Sequence, residues 1–123
     1  MRIAVTATTD EVLQAPVAQH FGHAPHFVLV DVVDGEVHAA ESVANPYLEG
    51  HQPGQIPQFL GEQGADVVLS GGMGGRAIGF FEQFGIAAVS GATGTVADSV
   101  ADYLGGRVAG AEPCAQSVAH GHA

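Results

Sequence analysis

The sequence predicts an α/β domain with a mixed five-stranded sheet, in the order β-β-β-α-β-α-β-α, and helices on both of its faces. Three observations predict it. The pair Asp34-Gly35 sits between two β-rich runs, a strong short-range signal for an antiparallel hairpin. The continuous apolar run Ala65 to Ser70 reads as a strand covered on both sides, and Ile86 to Val89 as another short apolar strand. Helical periodicities precede, separate and follow those runs, and right-handed crossovers place such helices on both faces of the sheet.

Taken in order, Arg2 to Ala7 is a short buried strand ending in Thr8-Thr9-Asp10. Residues 8–24 have neither a helical nor a strand period, with Pro16 inside and Pro25 just beyond, and a loop of that length is usually functional or disordered. His26 to Val33 and Glu36 to Val43 form the hairpin, the second strand alternating as one exposed on one face. A second loop spans residues 44–54. The helix over Gln55 to Gln63 puts Ile56, Phe59 and Leu60 on one face, with Pro57 in its first turn and Gly64 as its stop. After the covered strand, the turn Gly71 to Gly75 leads into a helix with Ala77, Phe80, Phe81 and Phe84 at i, i+3, i+4 and i+7, closed by Gly85. The loop Ser90 to Gly94 leads to Thr95, an N-cap whose partner three residues on is Asp98, and Val96, Val100, Tyr103 and Leu104 give that helix its stripe before Gly105-Gly106. Residues 1–108 therefore make one α/β domain. Residues 109–123 lack periodicity and read as a mobile tail containing cysteine and histidine.

Composition narrows the function classes. The 123 residues suit one domain with one real core, and 46% apolar residues are globular. Thirteen acidic residues face only Arg2, Arg76 and Arg107, with no lysine, for a net charge of −10. Nucleic acid and anionic membrane surfaces need clustered Lys and Arg, so neither is a partner. The single Cys114 forms no internal disulfide, the apolar runs fall far short of a membrane span, and Met1 to Val5 has no leader pattern. The expectation is a soluble cytoplasmic protein. The 18 glycines, about twice the usual frequency, and the seven histidines remain to be explained.

In an open α/β sheet, ligands bind beyond the carboxyl ends of the parallel strands. Three segments leave those ends: loop 8–24, the glycine turn 71–75 and loop 90–94. All three are expected at one mouth. The first carries His20-Phe21-Gly22-His23-Ala24-Pro25-His26. His20 and His23 face the same side if the loop makes one helical turn, whereas Pro25 forces an extended chain that sends His26 into the strand. Imidazole suits iron, copper, nickel and zinc; the bland alternative is that His20 bonds within its loop and His23 and His26 are surface residues.

The glycine turn Gly71-Gly72-Met73-Gly74-Gly75-Arg76 frees backbone amides at a helix start, an anion cradle reinforced by the helix dipole. Arg76 in that first turn opposes the dipole, and a bound anion would remove the conflict; the alternative is a tight turn with Arg76 solvated. The run lacks the Gly-Lys-Ser/Thr ending of a P-loop. Met73 offers a soft thioether, although a place in the core is its more usual role. His51, in a loop bounded by glycine and proline, and Cys114, His120 and His122 of the tail supply further soft donors for loosely held zinc or copper. No Ser/His/Asp, Cys/His or paired-carboxylate arrangement supports an enzyme active site.

The order of segments, His20-Phe21-Gly22 after the first strand, Gly50-His51-Gln52-Pro53-Gly54 and Gly71-Gly72-Met73-Gly74-Gly75-Arg76-Ala77 together resemble the dinitrogenase iron–molybdenum cofactor biosynthesis family. That family includes NifX, NafY, the C-terminal domain of NifB and the molybdenum–copper orange protein, and the likeness covers roughly residues 1–108. The resemblance implies a ribonuclease-H-like fold. It also implies non-catalytic binding, carriage or assembly of a metal–sulfur cluster of molybdenum with iron or copper, delivered to a client or assembly protein. The family's motif histidine corresponds to His20. Relatives commonly carry arginine where this chain has His23, which removes a permanent cation from the anion site, and the loop around His51 is shortened. Two other readings stay open: a copper or zinc binder using the histidines and the Cys114 tail, and a domain that binds a small phosphate ligand at the glycine turn.

Overall fold

A computed structural model of the chain describes residues 1–48, 50 and 54–107. Five strands form one sheet: β1 (Arg2–Ala7), β2 (His26–Val33), β3 (Glu36–Ala44), β4 (Val67–Leu69) and β5 (Ala87–Val89). Three helices accompany them: α1 (Gln55–Glu62), α2 (Gly75–Gln83) and α3 (Val96–Leu104). The order of elements is the one the periodicities predict.

Across the sheet the order is β3-β2-β1-β4-β5. β1 runs parallel to β4, and β4 parallel to β5, while β2 runs antiparallel to both β1 and β3. β2 is thus the one reversed strand, as an N-terminal hairpin followed by crossovers requires. The hairpin turns on Asp34 (φ 53°) and Gly35 (φ 79°), both left-handed, the combination that matches the twist of the flanking strands.

The pleat of β1 divides the core in two. Ile3, Val5 and Ala7 face one side with Val28, Val30 and Leu69, where Val96 and Val100 of α3 cover them. Ala4 faces the other side with Phe27, Leu29 and Val68, covered by Ile56 and Leu60 of α1 and Phe81 of α2. Helices therefore lie on both faces, and β1, at the centre, is buried from Ile3 to Ala7. At the opposite end from the loops of interest, Arg2 forks onto Asp31 (2.8 and 3.1 Å) and reaches the Gln63 carbonyl (2.7 Å). This guanidinium bond holds the Asp31 carboxyl below its ordinary range.

Two features differ from the sequence reading. The loop 8–24 is not featureless: it makes 3₁₀ turns at Val12–Gln14 and Phe21–His23 and buries Ala15, Val17 and Ala18. Bridges from Ala7 to Val17 and from Pro16 to Thr95 hold it, contacts that leave no period in the sequence. Phe84, expected on the buried stripe of α2, caps the end of that helix and is 47% exposed.

α3 starts as its sequence predicts. The Thr95 hydroxyl accepts from the Asp98 amide and the Asp98 carboxylate accepts from the Thr95 amide, both at 3.1 Å. Replacing Thr95 with alanine is expected to cost about 1 kcal/mol, the usual loss for an N-cap. Urea unfolding of parent and Thr95→Ala checks this; an unchanged midpoint would show that α3 is held by packing alone.

Candidate functional site

Beyond the carboxyl ends of β1 and β4 lies a cavity of about 260 Å³. One wall is His20, Phe21, Gly22 and His23; the other is Gly72, Met73, Gly74 and Arg76; Gly54, Ile56, Pro57, Ala77 and Phe80 complete it. Two of the three segments expected at the mouth therefore line it. Loop 90–94 lies at the same end but stands behind: its amides at Gly91 and Ala92 are spent on the carbonyls of Gly71 (3.0 Å) and Ser70 (3.1 Å). The start of α1 takes its place. Sequence reasoning missed that contribution, although Gly54 and Pro57 marked a helix start, because nothing local says where a helix start points.

His20 is the extended residue that caps the 3₁₀ turn Phe21–His23, so the single helical turn on which the pairing of the histidines depends is present. The rings of His20 and His23 lie 6.3 Å apart, perpendicular and exposed at the rim. Phe21 between them points inward, 6% exposed, onto Phe81 (5.2 Å between rings) and Phe27 (6.1 Å). That aromatic anchor fixes the turn while leaving both imidazoles outside the core. His26 starts β2 opposite Ala7 and Ala44 and is not among the cavity's lining residues; its Nδ1 is buried without a partner among the described residues.

The glycine turn is held from below. The buried Thr6 hydroxyl lies 3.2 Å from Ser70 Oγ and 3.3 Å from the Ala18 carbonyl, and its one proton serves the two. Ser70 donates to the Gly72 carbonyl at 3.0 Å, which also accepts the Phe21 amide at 3.1 Å. Gly71 donates to the Ala18 carbonyl at 3.1 Å. Only glycine allows that approach, because a Cβ on Gly71 would meet the Ala18 oxygen and Gln19 Cα at 2.9 Å.

The lining is rich in donors. Among the described residues, the amides of residues 72–77 donate to no acceptor. No side chain caps the start of α2, and its first turn holds no acidic residue. Gly54, at φ 88°, starts α1 on the same cavity, also without a side-chain cap, so two helix N-termini meet there. Arg2 pairs with Asp31 and Arg107 with Asp102 (2.9 Å), whereas Arg76 makes no ion pair among the described residues. The floor is apolar: Ile56 and Met73 are at most 1% exposed, which places Met73 in the core as well as on the wall. Among the described residues no three His, Cys, Asp or Glu side chains are grouped to hold a metal ion. His51, Cys114, His120 and His122 lie outside the described residues, as does the tail 109–123. No helix among the described residues is long and apolar enough to cross a membrane.

Residues 1–106 match the family described as dinitrogenase iron–molybdenum cofactor. The crystal structure of PH0822 is 35% identical, aligns over 89% of this chain and 96% of its own, and superposes with a TM-score of 0.79. The apo form of the orange protein from Desulfovibrio gigas is 34% identical over 91% of this chain and 93% of its own, with a TM-score of 0.81. A Thermotoga protein at 21% identity, covering 89% of this chain and 91% of its own, shares the fold with a TM-score of 0.69. None of the curated proteins matches.

Two glycine substitutions separate the demands of the site from those of the helix. Gly71→Ala is expected to destabilise by about 1–3 kcal/mol, since backbone atoms must move. Gly79→Ala, with open space around its Cβ inside α2, is expected to stabilise by about 0.5–1 kcal/mol. Thermal melts of the two proteins check the opposite signs.

Proposed function

Because the chain belongs to the dinitrogenase iron–molybdenum cofactor family, we propose that it binds and carries an anionic metal–sulfur cluster, of molybdenum with iron or copper, without catalysing a reaction on it. The observation that carries this reading is Arg76, unpaired among the described residues, beside the free amides of residues 72–77 on a cavity rimmed by His20 and His23. Clusters built on inorganic sulfide are anions, and a chain of net charge −10 repels them at long range. Attraction must therefore be local, from amides, two helix starts and one guanidinium.

Each part has a role in that reading. Arg76 and the glycine amides donate to the outer sulfides of the cluster. His20, at the position of the family's motif histidine, and His23 beside it offer nitrogen to iron, copper or molybdenum. Ile56, Met73 and Phe80 keep water from the inner wall, where a lower dielectric strengthens every donor. With so few protein ligands the cargo can leave again for a client or assembly protein, which suits a carrier. One relative is described as an apo form, so that protein has a bound state as well. The single reversed strand β2 in the order β3-β2-β1-β4-β5 supports a ribonuclease-H-like assignment of the fold.

Reconstitution with tetrathiomolybdate and copper, followed by desalting, tests the reading through retained visible absorbance. His20→Ala is expected to lose most of the colour while melting like the parent, because an exposed rim histidine contributes little packing. Arg76→Glu is expected to weaken binding by about 1–3 kcal/mol, because it removes a charge-assisted hydrogen bond and introduces a repulsion. A parent that retains no colour yet binds phosphate tightly would replace the cluster with a small phosphate ligand. Equal retention by His20→Ala would remove that residue from the site.

A further inference from the structure

We propose that Ser70 and Thr6 are positioning residues of this cavity: their hydroxyl relay locks the Gly72–Met73 peptide with its N–H, and not its carbonyl, toward the cavity. The inference rests on the anion-binding reading above and deepens it. Neither residue is among those that line the cavity, and both are fully buried. Their hydroxyls nonetheless determine what the cavity presents.

A trans peptide is planar, with its C=O and N–H on opposite sides. The Gly72 carbonyl is held inward by two donors, Ser70 Oγ at 3.0 Å and the Phe21 amide at 3.1 Å. The Met73 N–H of that same peptide must then point outward, and it has no acceptor among the described residues. One peptide earlier the Gly71 carbonyl accepts the Gly91 amide at 3.0 Å, which turns the Gly72 N–H away from loop 90–94. Two inward carbonyls thus produce two outward donors.

The lock is needed because the turn is glycine-rich. Rotating the Gly72–Met73 peptide changes ψ of Gly72, which has no Cβ to restrain it, and φ of Met73, so on the Gly72 side only hydrogen bonds to the carbonyl hold the peptide. Rotated, it would present a carbonyl oxygen to the cavity and repel an anion. A serine hydroxyl has one proton, and the Thr6 hydroxyl, 3.2 Å away, donates to its oxygen, so the Ser70 proton is directed to Gly72. Thr6 also joins the relay to loop 8–24 through the Ala18 carbonyl, so the same hydroxyls tie the His20 turn to the glycine turn.

The test compares the parent with Ser70→Ala and with the conservative Ser70→Thr, and adds Thr6→Val and Thr6→Ser, which leave Ser70 in place. The first readout is the apo protein's amide spectrum, with the nuclear Overhauser effect between the Met73 amide proton and the Gly72 α-protons. Ser70→Ala is expected to move the Met73 and Gly72 signals and to alter that effect, with cooperative melting preserved, while Ser70→Thr restores them. Thr6→Val is expected to do the same in smaller measure, and Thr6→Ser to resemble the parent. The second readout is tetrathiomolybdate titration, in which Ser70→Ala is expected to bind about tenfold more weakly, the scale of one charge-assisted hydrogen bond. Unchanged signals across residues 72–77 in both Ser70→Ala and Thr6→Val would overturn the proposal, as would equal affinity in Ser70→Ala. If the parent binds no tetrathiomolybdate, the cluster reading falls, and the amide spectra still decide whether the lock exists.

Discussion

The site depends on a crossing of chain segments at residues 70–72. There the end of β4 meets the end of β1 through Thr6 and Ser70, the His20 loop through Ala18 and Phe21, and loop 90–94 through Gly91 and Ala92. Gly71 makes the crossing possible, since any Cβ would strike the backbone of Ala18 and Gln19. These buried and half-buried hydrogen bonds then fix segments that are far apart in sequence. Remove the close approach and the two walls of the cavity have no common reference.

Electrostatics follow from that arrangement. The protein is strongly acidic, and two of its three arginines are paired with carboxylates away from the cavity. The third stands at the cavity beside unused amides and the starts of two helices. A net charge of −10 repels anions at long range, so in the proposed reading a bound anion is held by this local field alone.

The division of the core supports this from both sides of the sheet. α1 and α2 pack on the face of Ala4, Phe27 and Val68; α1 leads by its C-terminus into the start of β4 and α2 leaves the end of β4 by its N-terminus, so both helix starts lie at the cavity. α3 covers the other face and stabilises the loops behind the glycine turn, through Thr95 and the bridge to Pro16. Phe21 joins core to site: its ring is packed against Phe27 and Phe81, and its amide holds Gly72. An aromatic anchor with a polar backbone role couples the stability of the core to the geometry of the rim.

By itself the sequence determined what local periodicity and turn chemistry encode. The hairpin at Asp34-Gly35, the capping pair Thr95 and Asp98, the covered strand Val67–Leu69 and the glycine stops each follow from a few adjacent residues, and each is present. The carboxyl-end rule also brought the His20 loop and the glycine turn to one mouth, which the structure shows as the two walls of a cavity. Tertiary structure decided the rest. It replaced loop 90–94 with the start of α1, exposed Phe84, turned Phe21 inward and left the amides of residues 72–77 without acceptors among the described residues. Those outcomes depend on where carbonyls and rings from distant segments happen to meet. A hydrogen bond such as that from Thr6 to Ser70 joins residues 64 positions apart and leaves no pattern along the chain. Short-range preferences fix the elements, and only through-space packing fixes which of their ends share a site.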